Sequence, residues 1–153
     1  LRHNRAGPID RKTRMRRWIL LPFLALLVFA GAADARSKRD KTLDSTLEEY
    51  AATLRWGNFE AGIAYIDPDV LKERPIASID IERYRQVRVS YYHPQPPVPV
   101  GKEEVRVIAE IGIINEHSQS ERVVIDRQLW RWDAKAKRWW LMSGLPDITR
   151  KDR

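Results

Sequence analysis

Four tryptophans fall close together near the end of the chain: Trp130, Trp132, Trp139 and Trp140. If two strands joined by a short turn carry them, the rings meet, and clustered indoles can stack a flat or sugar-like ligand. Such rings also fill the core and rim of a curved sheet, because large aromatics dominate packing. Arg127 alternates with Val123, Ile125 and Leu129, which puts a guanidinium on an apolar strand face. There it either anchors an anion in a pocket or carries its charge past the sheet edge into water. On that reading Asp126 points to the opposite face. His93 stands between Tyr91-Tyr92 and Pro94, and it would serve as an acid–base group if this segment lined a pocket mouth. Arg127, His93, Trp130 and Trp140 are therefore the candidate ligand-binding residues, and no residue is assigned a catalytic role.

Other chemistries find no residues to perform them. His3, His93 and His117 share no metal-ligand spacing, and the chain has no cysteine, so neither a metal nor a cofactor is expected. There is no glycine-rich phosphate loop, no nucleophile elbow around a serine and no His-Glu-x-x-His. Asp67 and Asp69 flank Pro68, a pattern of turn chemistry. The net charge of +7 suggests nucleic acid, but its distribution does not. Seven basic residues lie between Arg2 and Arg17, whereas Thr42 to Leu145 holds fourteen Lys or Arg against sixteen Asp or Glu. A nucleic-acid binder needs its basic residues concentrated on the folded part.

The elements that would position these side chains are legible in the periodicity. Ser45-Thr46-Leu47-Glu48 has capping-box spacing, and Leu47, Tyr50, Ala51 and Leu54 follow on one helical face. Gly57 ends that helix and Asn58 caps a second one carrying Phe59, Gly62, Ile63 and Ile66, stopped by Asp67-Pro68. Residues 69–78 read as a short helical turn and a connection. From Ile79 the period becomes two, with Val87, Val89 and Tyr91 alternating on a first long strand. Pro94, Pro96, Pro97 and Pro99 make a stiff hairpin tip, a better fit to the flanking strands than a free Pro-x-x-Pro ligand. Val105, Val107, Ala109, Ile111 and Ile113 give one strand face that should cover the helices. Val123 to Asp133 and Arg138 to Met142 supply a third and a fourth strand. Helices first and strands after predict an α+β fold: an N-terminal helical hairpin packed on a curved antiparallel meander sheet of about four strands.

The beginning of the chain carries an address. Met15-Arg16-Arg17 runs into the apolar stretch Trp18–Ala33, followed by Ala33-Asp34-Ala35, the layout of a secretory signal peptide. A spanning helix wants about 20 apolar residues, and this run is shorter and holds Pro22. The expected organisation is a lead-in at 1–14, a signal at 15–35, a flexible leader at 36–41, one domain at 42–147 and a basic tail at 148–153. Export to a bacterial periplasm fits the signal and the absence of Asn-x-Ser/Thr acceptors.

Two helices closed by Asp-Pro, long antiparallel strands, and the pair Leu129-Trp130-Arg131-Trp132 and Arg138-Trp139-Trp140-Leu141-Met142 resemble the nuclear transport factor 2-like (cystatin-like) superfamily. The resemblance spans about Thr42 to Pro146 and implies a cone-shaped pocket under the curved sheet. Together these readings predict an exported, non-catalytic binding module for a small apolar ligand or a protein partner in the cell envelope, with a homodimer as a further option. One alternative is a small isomerase, cyclase or dehydratase using the same pocket. Another is a structural envelope protein held at the membrane by an uncut signal.

Overall fold

The computed structural model describes the backbone of residues 20–149 and the side chains of residues 38–149. Helix α1 spans Leu20–Trp56. The lead-in and the start of the signal lie outside the described residues. Residues 36–41, expected as a flexible leader, continue α1. No glycine or proline interrupts 36–45, so nothing stops the helix from propagating through them. Ser45 therefore lies inside a helix and starts none; the Thr46 hydroxyl donates back to the Thr42 carbonyl instead (2.7 Å). Among the described residues no helix is long and apolar enough to cross a membrane.

Residues 41–149 form one compact unit. Gly57 closes α1, and Asn58 Oδ1 accepts the Ala61 amide (2.9 Å) to cap a short 3₁₀ helix, Phe59–Tyr65. This is the second arm of the expected hairpin, wound more tightly than an α-helix. Asp67 then caps α2, Pro68–Glu73, with Oδ1 accepting the Asp69 amide at 2.8 Å. Helix α3, Ser78–Tyr84, occupies residues where the sequence places the start of the two-residue period. Its inward side chain is Tyr84, whose ring stacks on Phe59 with centroids 5.0 Å apart.

The strands are β1 (Val87–Pro94), β2 (Val98–Pro99), β3 (Glu104–Asn115), β4 (Glu121–Asp133) and β5 (Arg138–Leu141). They form a curled antiparallel sheet in the order β1-β3-β4-β5, with the short β2 pairing β3 beyond the end of β1. The fold is thus α+β, helices followed by a curved meander. Asn115 and Asp133 set the two long hairpins: each side-chain oxygen accepts two backbone amides of its turn, those of His117 and Ser118 and those of Lys135 and Ala136.

Both flanks of the sheet are finished off. Ile66 bridges Leu141, and the Asp67 amide donates to the Leu141 carbonyl (3.1 Å), which covers the Leu141 end of β5. On the other flank β1 carries a bulge between Val89 and Tyr91 and ends at Pro94, after which the proline-rich segment follows β3.

The concave face holds the core. Val105, Val107, Ala109, Ile111 and Ile113 are all buried, and Tyr50 and Leu54 of α1 belong to the same cluster. Strand β4 contradicts the expected phase. Val124, Asp126, Gln128 and Trp130 are buried, whereas Val123 and Arg127 are exposed. Three apolar residues in one phase suggest the opposite, but the two tryptophans share the phase of Val124. Burying them wins, since one slip moves every side chain to the other face. The expected basic tail also begins in the core, where Ile148 is 4% exposed.

Candidate functional site

The four sequence candidates do not converge. Trp130 is fully buried, meeting Tyr50 edge-on at 5.3 Å between centroids. Trp132 and Trp139 also face inward and lie 5.6 Å apart. Trp140 alternates to the convex face, where the Arg138 guanidinium sits 3.7 Å from its ring centroid. Arg127 is exposed on that same face, opposite Ile108 in register. His93 is exposed too, paired with Glu110 across the ladder and resting on the Tyr91 ring at 4.8 Å. The indoles therefore form no shared stacking platform, and His93 lines no pocket mouth.

In place of Arg127, its neighbour Asp126 enters the interior. Asp126, Gln128 and Trp130 are successive inward residues of β4, so alternation alone stacks them along one face. The Gln128 amide links the group: Nε2 donates to Asp126 Oδ2 (2.7 Å) and to Tyr92 Oη (2.6 Å), while Oε1 accepts from Trp130 Nε1 (2.9 Å). Tyr92 arrives from β1, whose inward residue here is opposite Ile111. Tyr50 arrives from α1, and its buried hydroxyl has no hydrogen-bond partner among the described residues.

Burial sets the electrostatics of this cluster. Removal from water raises the Asp126 carboxyl from 3.8 to about 6, and the hydrogen bond from Gln128 offsets part of that rise. Burial raises the Tyr50 hydroxyl well above its ordinary value, and the Asp126 charge adds to it. Tyr92 is raised for the same first reason. A carboxyl titrating near 6 can hold or release a proton close to neutrality. Yet Gln128 spends both ends of its amide inside the network, which fixes the Trp130 ring and orients Asp126. Among the described residues no three His, Cys, Asp or Glu side chains gather as metal ligands would.

Open space lies elsewhere. A cavity of about 200 Å³ opens between α2, α3 and residues 143–145, and its apolar lining includes Ile66, Val70, Leu71, Ile76 and Leu145. A neighbouring cavity of about 330 Å³ shares Asp80, Tyr84 and Leu145 with it and continues along residues 147–149. Asp80 and Arg83 form an ion pair at 2.7 Å beside this groove. Tyr84 Oη donates to the Pro146 carbonyl (2.9 Å), tying the C-terminal segment to α3. Gly144 turns that segment with φ of +83°. A side chain there would meet open space, so backbone conformation is what calls for glycine.

Neither the interior cluster nor the groove is found from sequence. Asp126-x-Gln128-x-Trp130 does carry a signal, because polar residues in phase with a tryptophan on a strand point to a buried network. The groove depends on α3, where the sequence periodicity predicts a strand. No protein-family model matches the chain, and neither a curated protein nor a solved structure matches it.

Proposed function

We propose that this chain is a non-catalytic binding module whose ligand, a small apolar molecule, sits in the groove between α2, α3 and residues 143–149. The observation that carries the reading is the groove itself, in which Val70, Leu71, Ile76 and Leu145 form an apolar wall beside Arg74, Asp80 and Ser143. The cavity of about 330 Å³ lies at the lower end of small-molecule sites, roughly 300–1,000 Å³, and the one of about 200 Å³ adjoins it. The Asp80–Arg83 pair gives one wall a polar rim that would orient an amphipathic ligand. The apolar stretch 18–33 and Ala33-Asp34-Ala35 support an exported, periplasmic location. The order of helices and strands supports the nuclear transport factor 2-like resemblance.

A second reading, a small pocket enzyme, draws on Asp126 alone, whose raised carboxyl is the kind of group that accepts a proton from carbon. Titrating the ¹⁵N-labelled protein with 1-anilinonaphthalene-8-sulfonate separates the two. Saturable amide shifts at 66–84 and 143–149 that vanish in Ile76→Asp support the groove. Shifts centred on residues 92 and 126–130 favour the enzyme reading, and no saturable shift at all refutes the binding proposal.

A further inference from the structure

The two cavities of the groove have Asp80, Tyr84 and Leu145 in common, so these three side chains form the partition between them. The cavity of about 200 Å³ is smaller than an ordinary small-molecule site, and the one of about 330 Å³ is at the lower edge. Joined, they fall well inside the range of roughly 300–1,000 Å³. The two halves of the partition are held differently. Tyr84 belongs to α3, and its ring is fixed by the stack on Phe59. Leu145 belongs to residues 143–149, which border both cavities and form neither helix nor strand.

That segment has the build of a strap. Its near end is tied to the sheet: the Met142 amide donates to the Leu129 carbonyl (2.7 Å), and the Leu129 amide donates to Ser143 Oγ (3.3 Å). Gly144 comes next, at φ of +83° and with open space where a side chain would stand, so backbone rotation meets least resistance there. Beyond it Pro146 fixes its own φ and confines Leu145 to extended backbone, which makes the strap stiff. Side chains hold its far part. The Tyr84 hydroxyl donates to the Pro146 carbonyl (2.9 Å), the Arg122 guanidinium donates to the Ile148 carbonyl, and Ile148 is seated in the core.

We propose that residues 143–149 are a hinged strap that pivots at Gly144 and lifts Leu145 and Ile148 to join the two cavities, and that the ligand so admitted is an apolar molecule with an acceptor oxygen near its middle, which takes over the Tyr84 hydrogen bond from Pro146. This rests on the groove being the binding site. While the strap is down, the Tyr84 proton has its acceptor in the strap backbone. Once the strap lifts the hydroxyl needs another, because a buried donor left unmatched is costly. Burial raises that hydroxyl to about 12, so Tyr84 remains a donor throughout the neutral range. A carbonyl between two apolar halves meets the demand. One half lies on Val70, Leu71 and Ile76, and the other enters the space along residues 147–149.

Benzophenone and diphenylmethane share a carbon frame and differ in the carbonyl, which makes them the probes. Titrated against the ¹⁵N-labelled full chain, benzophenone should bind about tenfold more tightly, and Tyr84→Phe should bring the two within about twofold of each other. The chain has no cysteine, so a single thiol introduced as Ile148→Cys reports strap lifting through its rate of reaction with dithionitrobenzoate. It should react at least about a hundredfold faster than a thiol introduced as Val107→Cys, which only global unfolding exposes. Benzophenone should speed the reaction further, because a ligand that binds the lifted strap raises its population. In the parent the Ile148 methyl signals should shift with benzophenone, which reads the same motion without a substitution. Equal affinity for the two probes overturns the acceptor assignment. A thiol at position 148 that reacts at the core rate, or that benzophenone protects, overturns the strap, and in both cases the groove stands. Absence of saturable shifts at 66–84 and 143–149 with either probe overturns the groove reading and this ligand with it, and the thiol rate then decides the strap separately.

Discussion

Replacing Asp126 by Asn should make this protein more stable at neutral pH, although it removes a hydrogen-bonded charge. The carboxyl is 6% exposed, and burial raises it from 3.8 to about 6. A raised carboxyl binds its proton more tightly in the folded chain than in the unfolded one. Below about pH 3.8 both states hold the proton and the group contributes no penalty. As pH climbs from there through 6 the unfolded chain ionises first, so stability falls, and above 6 the full penalty remains. A displacement of about two units corresponds to about 3 kcal/mol. The substituted amide keeps an oxygen able to accept from Gln128 Nε2, so that hydrogen bond survives the change. Its new N–H donors need acceptors, an offset of about 1 kcal/mol. The net gain expected at pH 7 is therefore about 2 kcal/mol, or about 8 °C in melting temperature. Urea unfolding followed by tryptophan fluorescence from pH 4 to 8 measures it. The parent should lose stability relative to Asp126→Asn across pH 4 to 6. A variant less stable than the parent at pH 7, or one with the parent's full pH slope, would refute the argument.

Three further changes probe the same framework. Gln128→Ala strands the Trp130 indole N–H and removes the donor to Asp126 and Tyr92, so a loss of about 3 kcal/mol is expected in urea titrations at pH 7. Gly144→Ala forces a side chain into a backbone with φ of +83° and should cost about 1 kcal/mol in thermal melts, with no steric component because the space is open. Asp67→Ala removes the cap of α2 and leaves Arg131 without that partner, and about 1–2 kcal/mol should be lost by the same assay.

The architecture is legible because its elements are long and their patterns clean. The five inward residues of β3 alternate without a fault, and the hairpin turns are marked by Asn115 and Asp133. The phase of β4 is not, since Val123, Ile125 and Leu129 compete with Val124, Trp130 and Trp132, and a hydropathy pattern does not weigh residue size. That single inversion exchanges Arg127 for Asp126 as the inward charge and so misplaces the candidate site. Helix α3 is missed for another reason. Seven residues are too few to establish a helical period, and Ile79 and Ile81 also suit a strand. Only packing of Tyr84 against Phe59 and Pro146 decides the matter, and that contact joins residues far apart in the chain.

The way the sheet is finished at its flanks has a consequence for the protein when concentrated. Strand addition, the first step of fibril growth, needs a run of free amides and carbonyls on an outer strand. Here Ile66 and Asp67 occupy the Leu141 end of one outer strand, and the other is kinked by the bulge near Ser90. Beyond Pro94 the outermost chain contributes prolines at 96, 97 and 99, which have no amide proton to offer, and the amides of Gln95 and Val100 are already spent on β3 and its turn. The backbone therefore offers a newcomer little to template on. For a chain with no cysteine to lock its fold, these edge features shorten the stretch of backbone on which a further strand could grow.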